Sequence, residues 1–299
     1  MAAPAAAPTA DAIHHDLGSY PCTAVLLNGI ACPVEMHPCG EPTVQVRFEG
    51  SARRKAELRV RGRGPGSVLS IEDTSPGEGI TVSNLRSGNV VVGNMSVSAD
   101  STSSVSVSSG GCSIQMAGGR VKINGVDVTE QMRNGGGVAI GASDKAAEQP
   151  ARLVLRVPLG MALSLNDMRA DATIGDVGGN LSVYSSGVSR VAAGKVRGLE
   201  VTIAGSGRVE VAEVAGGPCQ AHISGSGRVR VRRGNVGKAV ASITGSGNVR
   251  YDVTAEEADL SITGSGEIDL FRATKRLRKR KTGSGAITVG SMAAGCERI

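Results

Sequence analysis

The chain of 299 residues carries a formal net charge of +6 and a pI near 9.2, which allows an anionic partner without demanding one. Apolar residues make up 40 % but aromatics only 2 %, and Trp is absent, so a broad core packed around large rings is excluded in favour of a narrow one filled by Val, Ile, Leu and Ala. No run approaches the roughly 18 apolar residues of a membrane-spanning helix, and no CxxC pair joins Cys22, Cys32, Cys39, Cys112, Cys219 and Cys296, which read as free thiols.

The N-terminal MAAPAAAPTADAIHH is rich in Ala and Pro and lacks both a basic n-region and a long apolar h-region. Residues 1–20 are therefore expected to be a disordered tail, and the protein is placed in the cytoplasm. Residues 21–141 open with AVLLNGIACPVEM, TVQVRF, ELRVR and SVLSIED, four β-like runs that read as imperfect coils. Among them Arg53, Arg54, Lys55, Arg59, Arg61 and Arg63 predict a basic surface. Residues 87–141 form a Ser/Gly-rich insertion, yet Val and Ile keep period two in NVVVGNMSV, SSVSVSS and GRVKINGVDV. A flexible linker has no reason to keep parity, so further narrow strands are expected, with a helical or looped excursion at Val128 to Asn134. Residues 142–151, ASDKAAEQPA, are polar and strandless and read as a linker or loop before a last segment, 152–299.

Within that segment one phrase recurs five times: VTIAGSGRVEV, AHISGSGRVRV, ASITGSGNVRY, LSITGSGEIDL and RKRKTGSGAITV. The Gly-Ser-Gly tripeptides begin at Gly205, Gly225, Gly245, Gly264 and Gly283, at intervals of 20, 20, 19 and 19 residues, and Tyr184-Ser185-Ser186-Gly187 reads as a degenerate sixth copy. Around each tripeptide β-branched residues alternate with polar ones, as Val201, Ile203, Val209 and Val211 do, so each copy predicts two short strands with one buried face. The glycine pairs Gly205/Gly207, Gly225/Gly227, Gly245/Gly247, Gly264/Gly266 and Gly283/Gly285 are structural turns that permit positive φ, and the serines between them are expected to stack as a hydroxyl ladder. One coil cannot bury its apolar face alone, so coils of 18–20 residues stack, and the fold class is all-β, a parallel β-helix or solenoid. A meander of hairpins, which needs tight two-residue turns, is the alternative.

The pattern [ST]-G-S-G-x-[VI]-x-[VLY] at Ile223 to Val231, Ile243 to Tyr251 and Ile262 to Leu270 resembles the GIN-domain family of auto-transporter adhesin head domains, as does the preceding LRVPLGMALSLNDMRADATIGDVGGNLSV. The likeness covers Leu153 to Gly290, and more weakly Val25 to Asp73. It implies a right-handed parallel β-helix and a binding or surface-structural role, and it transfers no catalytic residues, cofactor or metal.

Candidate chemistry is sparse. Glu267 and Asp269 lie two apart on one strand with arginines nearby and read as solvated charge; Asp167, Asp171 and Asp176 read as turn residues. Cys32, His37 and Cys39 match no common zinc frame, and His222 is an outward residue of the second copy. The sharpest local feature is KRLRKRK, where Lys275, Arg276, Arg278, Lys279, Arg280 and Lys281 form a possible patch for an anionic partner or a nuclear-import signal. Lys279 and Lys281 replace the inward Leu260 and Ile262 of the preceding copy. Lysines do not enter a dry core, so this strand is an edge, a bulge or a cap.

The function expected from these residues is a non-catalytic scaffold or binding module that engages a protein or a carbohydrate through flat Ser/Thr-rich faces, Thr202, Ser242 and Ser261 with Ser224, Thr244 and Thr263. A carbohydrate-active lyase or hydrolase, which needs carboxylates converging from distant coils, is the alternative. Anion binding by the basic tract is a third reading, in which nucleic acid is the weaker partner because Phe271 is the one aromatic nearby. Location in the nucleus, through 275–281, and export, as in the family, are the alternatives to the cytoplasm.

Overall fold

The computed structural model of the chain describes residues 14–62, 66–74, 80–82, 89–92, 95–98, 105–109, 112–117, 120–123, 126–127, 138–140 and 151–298. They divide into two compact units, Met1–Thr74 with Gln149–Ile299, and Ser75–Glu148.

The first unit begins with β1 (His14–Tyr20), β2 (Cys22–Asn28), β3 (Val34–Cys39), β4 (Val44–Glu49), a single helical turn α1 (Ala52–Ala56), β5 (Leu58–Arg61) and β6 (Ser67–Asp73). The second unit holds β7 (Ile80–Val82), β8 (Asn89–Val92), β9 (Met95–Ser98), β10 (Val105–Ser109), β11 (Cys112–Ala117), β12 (Arg120–Ile123), β13 (Val126–Asp127) and β14 (Val138–Ile140). The period-two runs of the Ser/Gly block are thus strands, and they pair antiparallel: β7 with β14, β8 with β9, and β10 to β13 as a meander. The excursion expected at Val128 to Asn134 lies outside the described residues.

The first unit resumes with β15 (Arg152–Pro158), β16 (Ala162–Asn166), β17 (Ala172–Ile174), β18 (Asn180–Ser185), β19 (Arg190–Val196), β20 (Gly198–Ile203), β21 (Arg208–Gly216), β22 (Cys219–Gly225), β23 (Arg228–Val231), β24 (Gly234–Gly245), β25 (Asn248–Gly264), β26 (Glu267–Thr282), β27 (Ala286–Met292) and β28 (Glu297–Arg298). It is a β-solenoid of about 7 turns. Strands one turn apart pair in parallel, Leu181 with Leu199, Cys219 with Ala239 and Ala258 with Leu277, at offsets of 18, 20 and 19 residues. Gly187 serves the corner of the degenerate copy, since Ser206 N–H donates to its carbonyl as Ser226 N–H does to that of Gly205.

One column of strands runs in the order β6, β2, β16, β18, β20, β22, then the later halves of β24, β25 and β26. Its inward row is Leu69, Val25, Leu163, Leu181, Leu199, Cys219, Ala239, Ala258 and Leu277, every member buried. The second column runs β15, β3, β17, β19, β21, β23, then the starts of β25 and β26, and β27. Its row is Leu153, Val34, Ala172, Val191, Val209, Val229, Val249 and Ile268, also buried. Val and Ile fit because the pleat presents their branches to equivalent residues about 4.8 Å above and below. Where Cys219, Ala239 and Ala241 thin the wall, the ring of Tyr251 fills the lumen and its hydroxyl donates to the Val240 carbonyl at 3.1 Å.

The N-terminal runs depart from the expected coils. AVLLNGIACPVEM is a true coil, β2 and β3 joined by a corner, but TVQVRF and ELRVR pair antiparallel, as β4 against β15 and β5 against β6, with β1 outside β4. These strands close the first end of the solenoid. The coil beside β2 and β3 consists of β6 and β15, so its two strands come from stretches of chain on either side of the second unit.

The corner between β2 and β3 is fastened by charge. The buried Asp73 carboxylate accepts from Ala31 N–H at 2.9 Å and from Arg54 Nη2 at 3.2 Å, and Arg54 also pairs with Glu57. Burial works against the Arg54 charge, but its hydrogen bond to Glu57 and the charge of Asp73 outweigh that and raise its pKa. The basic surface expected here is therefore reduced: Arg54 is turned inward, Arg59 and Arg61 are exposed on β5, and Arg63 and the Arg53 side chain lie outside the described residues.

Candidate functional site

The glycine pairs of the repeats have two separate physical causes. The first glycine takes positive φ in four copies, Gly225 at 134°, Gly245 at 117°, Gly264 at 121° and Gly283 at 105°, but Gly205 does not. The second glycine never does, which corrects the expectation that both are there for φ. It is there for space: a Cβ on Gly227, Gly247 or Gly266 would stand 2.6, 2.7 or 2.7 Å from Cγ2 of Ile203, Ile223 or Ile243. Gly207 and Gly285 are equally tight, against Ser185 Oγ at 2.9 Å and Gly266 O at 2.5 Å. The ladder along the corners is built from backbone amides, since Ser246 N–H donates to Gly225 O and Ser265 N–H to Gly245 O, both at 2.9 Å. Ser206, Ser226, Ser246, Ser265 and Ser284 themselves are exposed.

Two further ranks run beside these serines. Tyr184, Thr202, His222, Ser242 and Ser261 are in register across five coils, and Ser224, Thr244, Thr263 and Thr282 across four. Ser261 Oγ donates to Ser242 Oγ at 3.1 Å. Ser224, Thr244 and Thr263 are exposed, as is Tyr184 at 43 %. The result is a polar grid with a spacing of about 4.8 Å along the stack, edged by one aromatic ring that sequence reasoning passed over as part of a degenerate copy.

The basic tract does not act as one patch. Lys275 pairs with Glu256 at 2.7 Å, and Arg276 with Glu257 at 3.5 Å and Glu297 at 4.0 Å. Arg278, Arg280 and Lys281 have no ion-pair partner among the described residues. Lys279 and Lys281 stand in register with Leu260 and Ile262 but on the last coil, and both are exposed. Lys279 donates from Nζ to Ile287 O at 3.4 Å; partial desolvation of its ammonium and the nearby Arg298 charge lower its pKa.

The acidic candidates are absorbed by the scaffold. Asp167, Asp171 and Asp176 each accept, through Oδ1, the backbone N–H of a residue one coil on: Ser186 at 3.0 Å, Arg190 at 3.2 Å and Lys195 at 2.7 Å. Glu267 accepts from Asn248 at 3.0 Å. Among the described residues no three His, Cys, Asp or Glu side chains converge as a metal site, so Cys32, His37 and Cys39 are not brought together as one. Cys32 is a buried thiol, and burial pushes its pKa up to about 11.

A cleft of about 730 Å³ on the outer face of β1, β4, β15 and β3 was not anticipated. Arg152 is its centre, bonded to Glu49 and, at 2.9 Å, to Glu35, with His14 3.3 Å from Glu49 and His37 3.6 Å from Glu35. Asp16, Gln45, Arg47 and Arg156 also line it. The cleft gathers three carboxylates, Asp16, Glu35 and Glu49, and convergent carboxylates are what the enzyme alternative requires. The Arg152 hydrogen bond, however, holds the Glu49 carboxyl below its ordinary range, whereas a general acid needs a raised pKa. Glu35 and Glu49 are the two arms of an arginine clamp.

Residues 169–293 match the family model described as "Putative auto-transporter adhesin, head GIN domain". The likeness to the GIN-domain family is thereby shown for this segment. It covers the repeats and part of their run-in, while β1 to β16 and β28 lie outside it. Among solved structures, a "putative lipid binding protein" from Parabacteroides distasonis aligns with 93 % of this chain and 96 % of its own at 13 % identity and a TM-score of 0.53, which shows a shared fold. A "putative adhesin" from Parabacteroides merdae aligns with 97 % and 92 % at 13 % identity and a TM-score of 0.48. No curated protein sequence matches the chain. Among the described residues no helix is long and apolar enough to cross a membrane.

Proposed function

We propose that the chain is a non-catalytic binding module that engages another protein or a carbohydrate through the hydroxyl face of its GIN segment. The observation that carries this is the register of Thr202, His222, Ser242 and Ser261 beside Ser224, Thr244 and Thr263 on consecutive coils. A rigid array at the ladder spacing offers donors and acceptors to an extended repetitive ligand with little side-chain ordering cost. Tyr184 at one end adds a ring on which a sugar or an apolar side chain can stack. The adhesin-head description of the family supports the same reading and favours export over the cytoplasmic placement.

A glycan array run beside protein capture tests it, with the parent chain compared to Ser242→Arg/Ser261→Arg, which fills the face without touching the core. Ligands retained by the parent should be lost by the variant at unchanged circular dichroism. Equal retention by both would remove the face from the account.

The enzyme reading gains the carboxylates of Asp16, Glu35 and Glu49 in the cleft, of which Glu49 is held below its ordinary range by Arg152 and is unsuited to act as a general acid. Hydrolysis or lyase activity on a polysaccharide panel that disappears in Glu35→Gln would restore it.

A further inference from the structure

Three arginines stand one above another beside the corners of the stack. Arg190 on β19, Arg208 on β21 and Arg228 on β23 are in register on consecutive coils, about 4.8 Å apart along the ladder. Arg190 and Arg228 are exposed and Arg208 is half-buried, and none of the three has an ion-pair partner among the described residues. The neighbouring acids are engaged by other donors. Asp171 accepts the Arg190 backbone N–H at 3.2 Å, Glu210 pairs with Arg232 at 3.2 Å, and past Arg228 the row continues as Asn248 and Glu267, which bond to each other at 3.0 Å.

Other charged rows of the solenoid mix their signs. Glu213 joins Lys195 and Arg233 at 2.8 Å each, Lys238, Glu257 and Arg276 follow one another in register, and Arg230 and Arg250 share Asp252. Like charges that face one another across neighbouring strands destabilise the pairing. An anion laid along Arg190, Arg208 and Arg228 would relieve a repulsion that the protein's own acids leave in place.

Spacing and surroundings choose the anion. An extended peptide turns every second side chain to one side, about 6.6–6.8 Å apart, and so falls out of step with the rungs. A polyuronate carries a carboxylate on each sugar, set apart by the length of a ring and so close to the rung spacing, and each carboxylate can take two parallel hydrogen bonds from a guanidinium. Exposed hydroxyls to meet the sugar are next in sequence across the corners, Ser206 before Arg208, and Ser224 and Ser226 before Arg228. Single-stranded nucleic acid uses aromatic rings on which its bases stack, and Tyr184 is the one exposed aromatic side chain on these coils.

We infer that Arg190, Arg208 and Arg228 form a carboxylate ladder for an acidic polysaccharide of the polyuronate class, which lies along the stack. This rests on the binding reading above and adds to it the charge of the ligand and the strip that recognises that charge.

The test is fluorescence anisotropy of the full chain with an end-labelled oligogalacturonate, its methyl ester and a polyglutamate of equal charge. The acid should bind saturably and more weakly as salt rises, and Arg208→Gln/Arg228→Gln should weaken it about tenfold or more. That variant removes a like-charge contact and should melt no lower than the parent. Arg59→Gln/Arg61→Gln, which removes two exposed arginines of β5, should bind as the parent does. An oligogalacturonate that does not bind, a methyl ester or polyglutamate that binds as tightly, or equal weakening by the two double variants would each overturn the inference. A neutral glycan retained by the hydroxyl face while the oligogalacturonate stays unbound would sink the ladder and leave the binding reading standing.

Discussion

Gly245 and Gly247 sit two residues apart in the same corner, and replacing each by Ala should cost different amounts for different reasons. At Gly245 the backbone has φ 117°, and a Cβ would lie 2.7 Å from the carbonyl oxygen of Gly225. The strained φ alone costs about 1–3 kcal/mol. The contact falls short of the roughly 3.3 Å at which carbon meets a carbonyl oxygen, and that oxygen is held by Ser246 N–H in the ladder. Relief requires two coils to part, so Gly245→Ala should cost about 3–5 kcal/mol, at the severe end for a point change. At Gly247 φ is ordinary, and the nearest clash is with Cγ2 of Ile223 at 2.7 Å, with the Gly227 carbonyl oxygen 3.0 Å away. Overpacking of this kind costs about 1–3 kcal/mol. Ile223→Leu removes the branch at Cβ, so it should restore part of the Gly247→Ala loss and none of the Gly245→Ala loss, a coupling of about 0.5–3 kcal/mol in a double-mutant cycle. Urea titration followed by far-ultraviolet circular dichroism measures the three single variants and the two doubles that carry Ile223→Leu. Should Gly247→Ala prove the costlier change, or Ile223→Leu rescue Gly245→Ala, the two causes assigned to the glycines would be wrong.

Other outcomes follow from the same packing. Ile243→Asp places a charge where the native side chain is 1 % exposed, and it should cost more than about 4 kcal/mol and unfold neighbouring coils together, read as loss of hydrogen-exchange protection. Lys279→Leu with Lys281→Leu should leave stability unchanged and convert the last coil into a sticky edge, seen as concentration-dependent oligomers in light scattering. Iodoacetamide at pH 8, read by peptide mass spectrometry, should label Cys39 and Cys296 far faster than Cys32 or Cys219, because burial pushes the Cys219 thiol up to about 12. The folded Glu49 carboxyl titrates below its ordinary value of 4.5. Its bond to Arg152 therefore stabilises fully above that pH and is lost as pH falls through the lower folded value, so the stability gap between parent and Arg152→Gln should close on acidification.

What the sequence made legible was local and periodic. Parity around Gly-Ser-Gly placed Val201, Ile203, Val209 and Val211 inside, and the break of that parity at Lys279 and Lys281 marked the final coil, because each judgement needs only one turn of chain. The cleft was beyond reach for the opposite reason: Arg152 meets Glu49 across 103 residues and Glu35 across 117, on strands whose order reverses around β3. The antiparallel closure by β1, β4 and β5 was hidden because an edge strand and a coil strand share the same alternation. The second glycine of each corner looked like a second turn residue because sequence shows conformational freedom and cannot show Ile223 lying one coil below.

The most direct test of the binding face is hydrogen-exchange footprinting of the chain with a glycan or protein that the array or capture retains. The account predicts protection recurring around residues 202–206, 222–226, 242–246 and 261–265, four windows far apart in sequence and adjacent in the stack. Protection confined to the lining of the Arg152 cleft, or to residues 75–148, would contradict it.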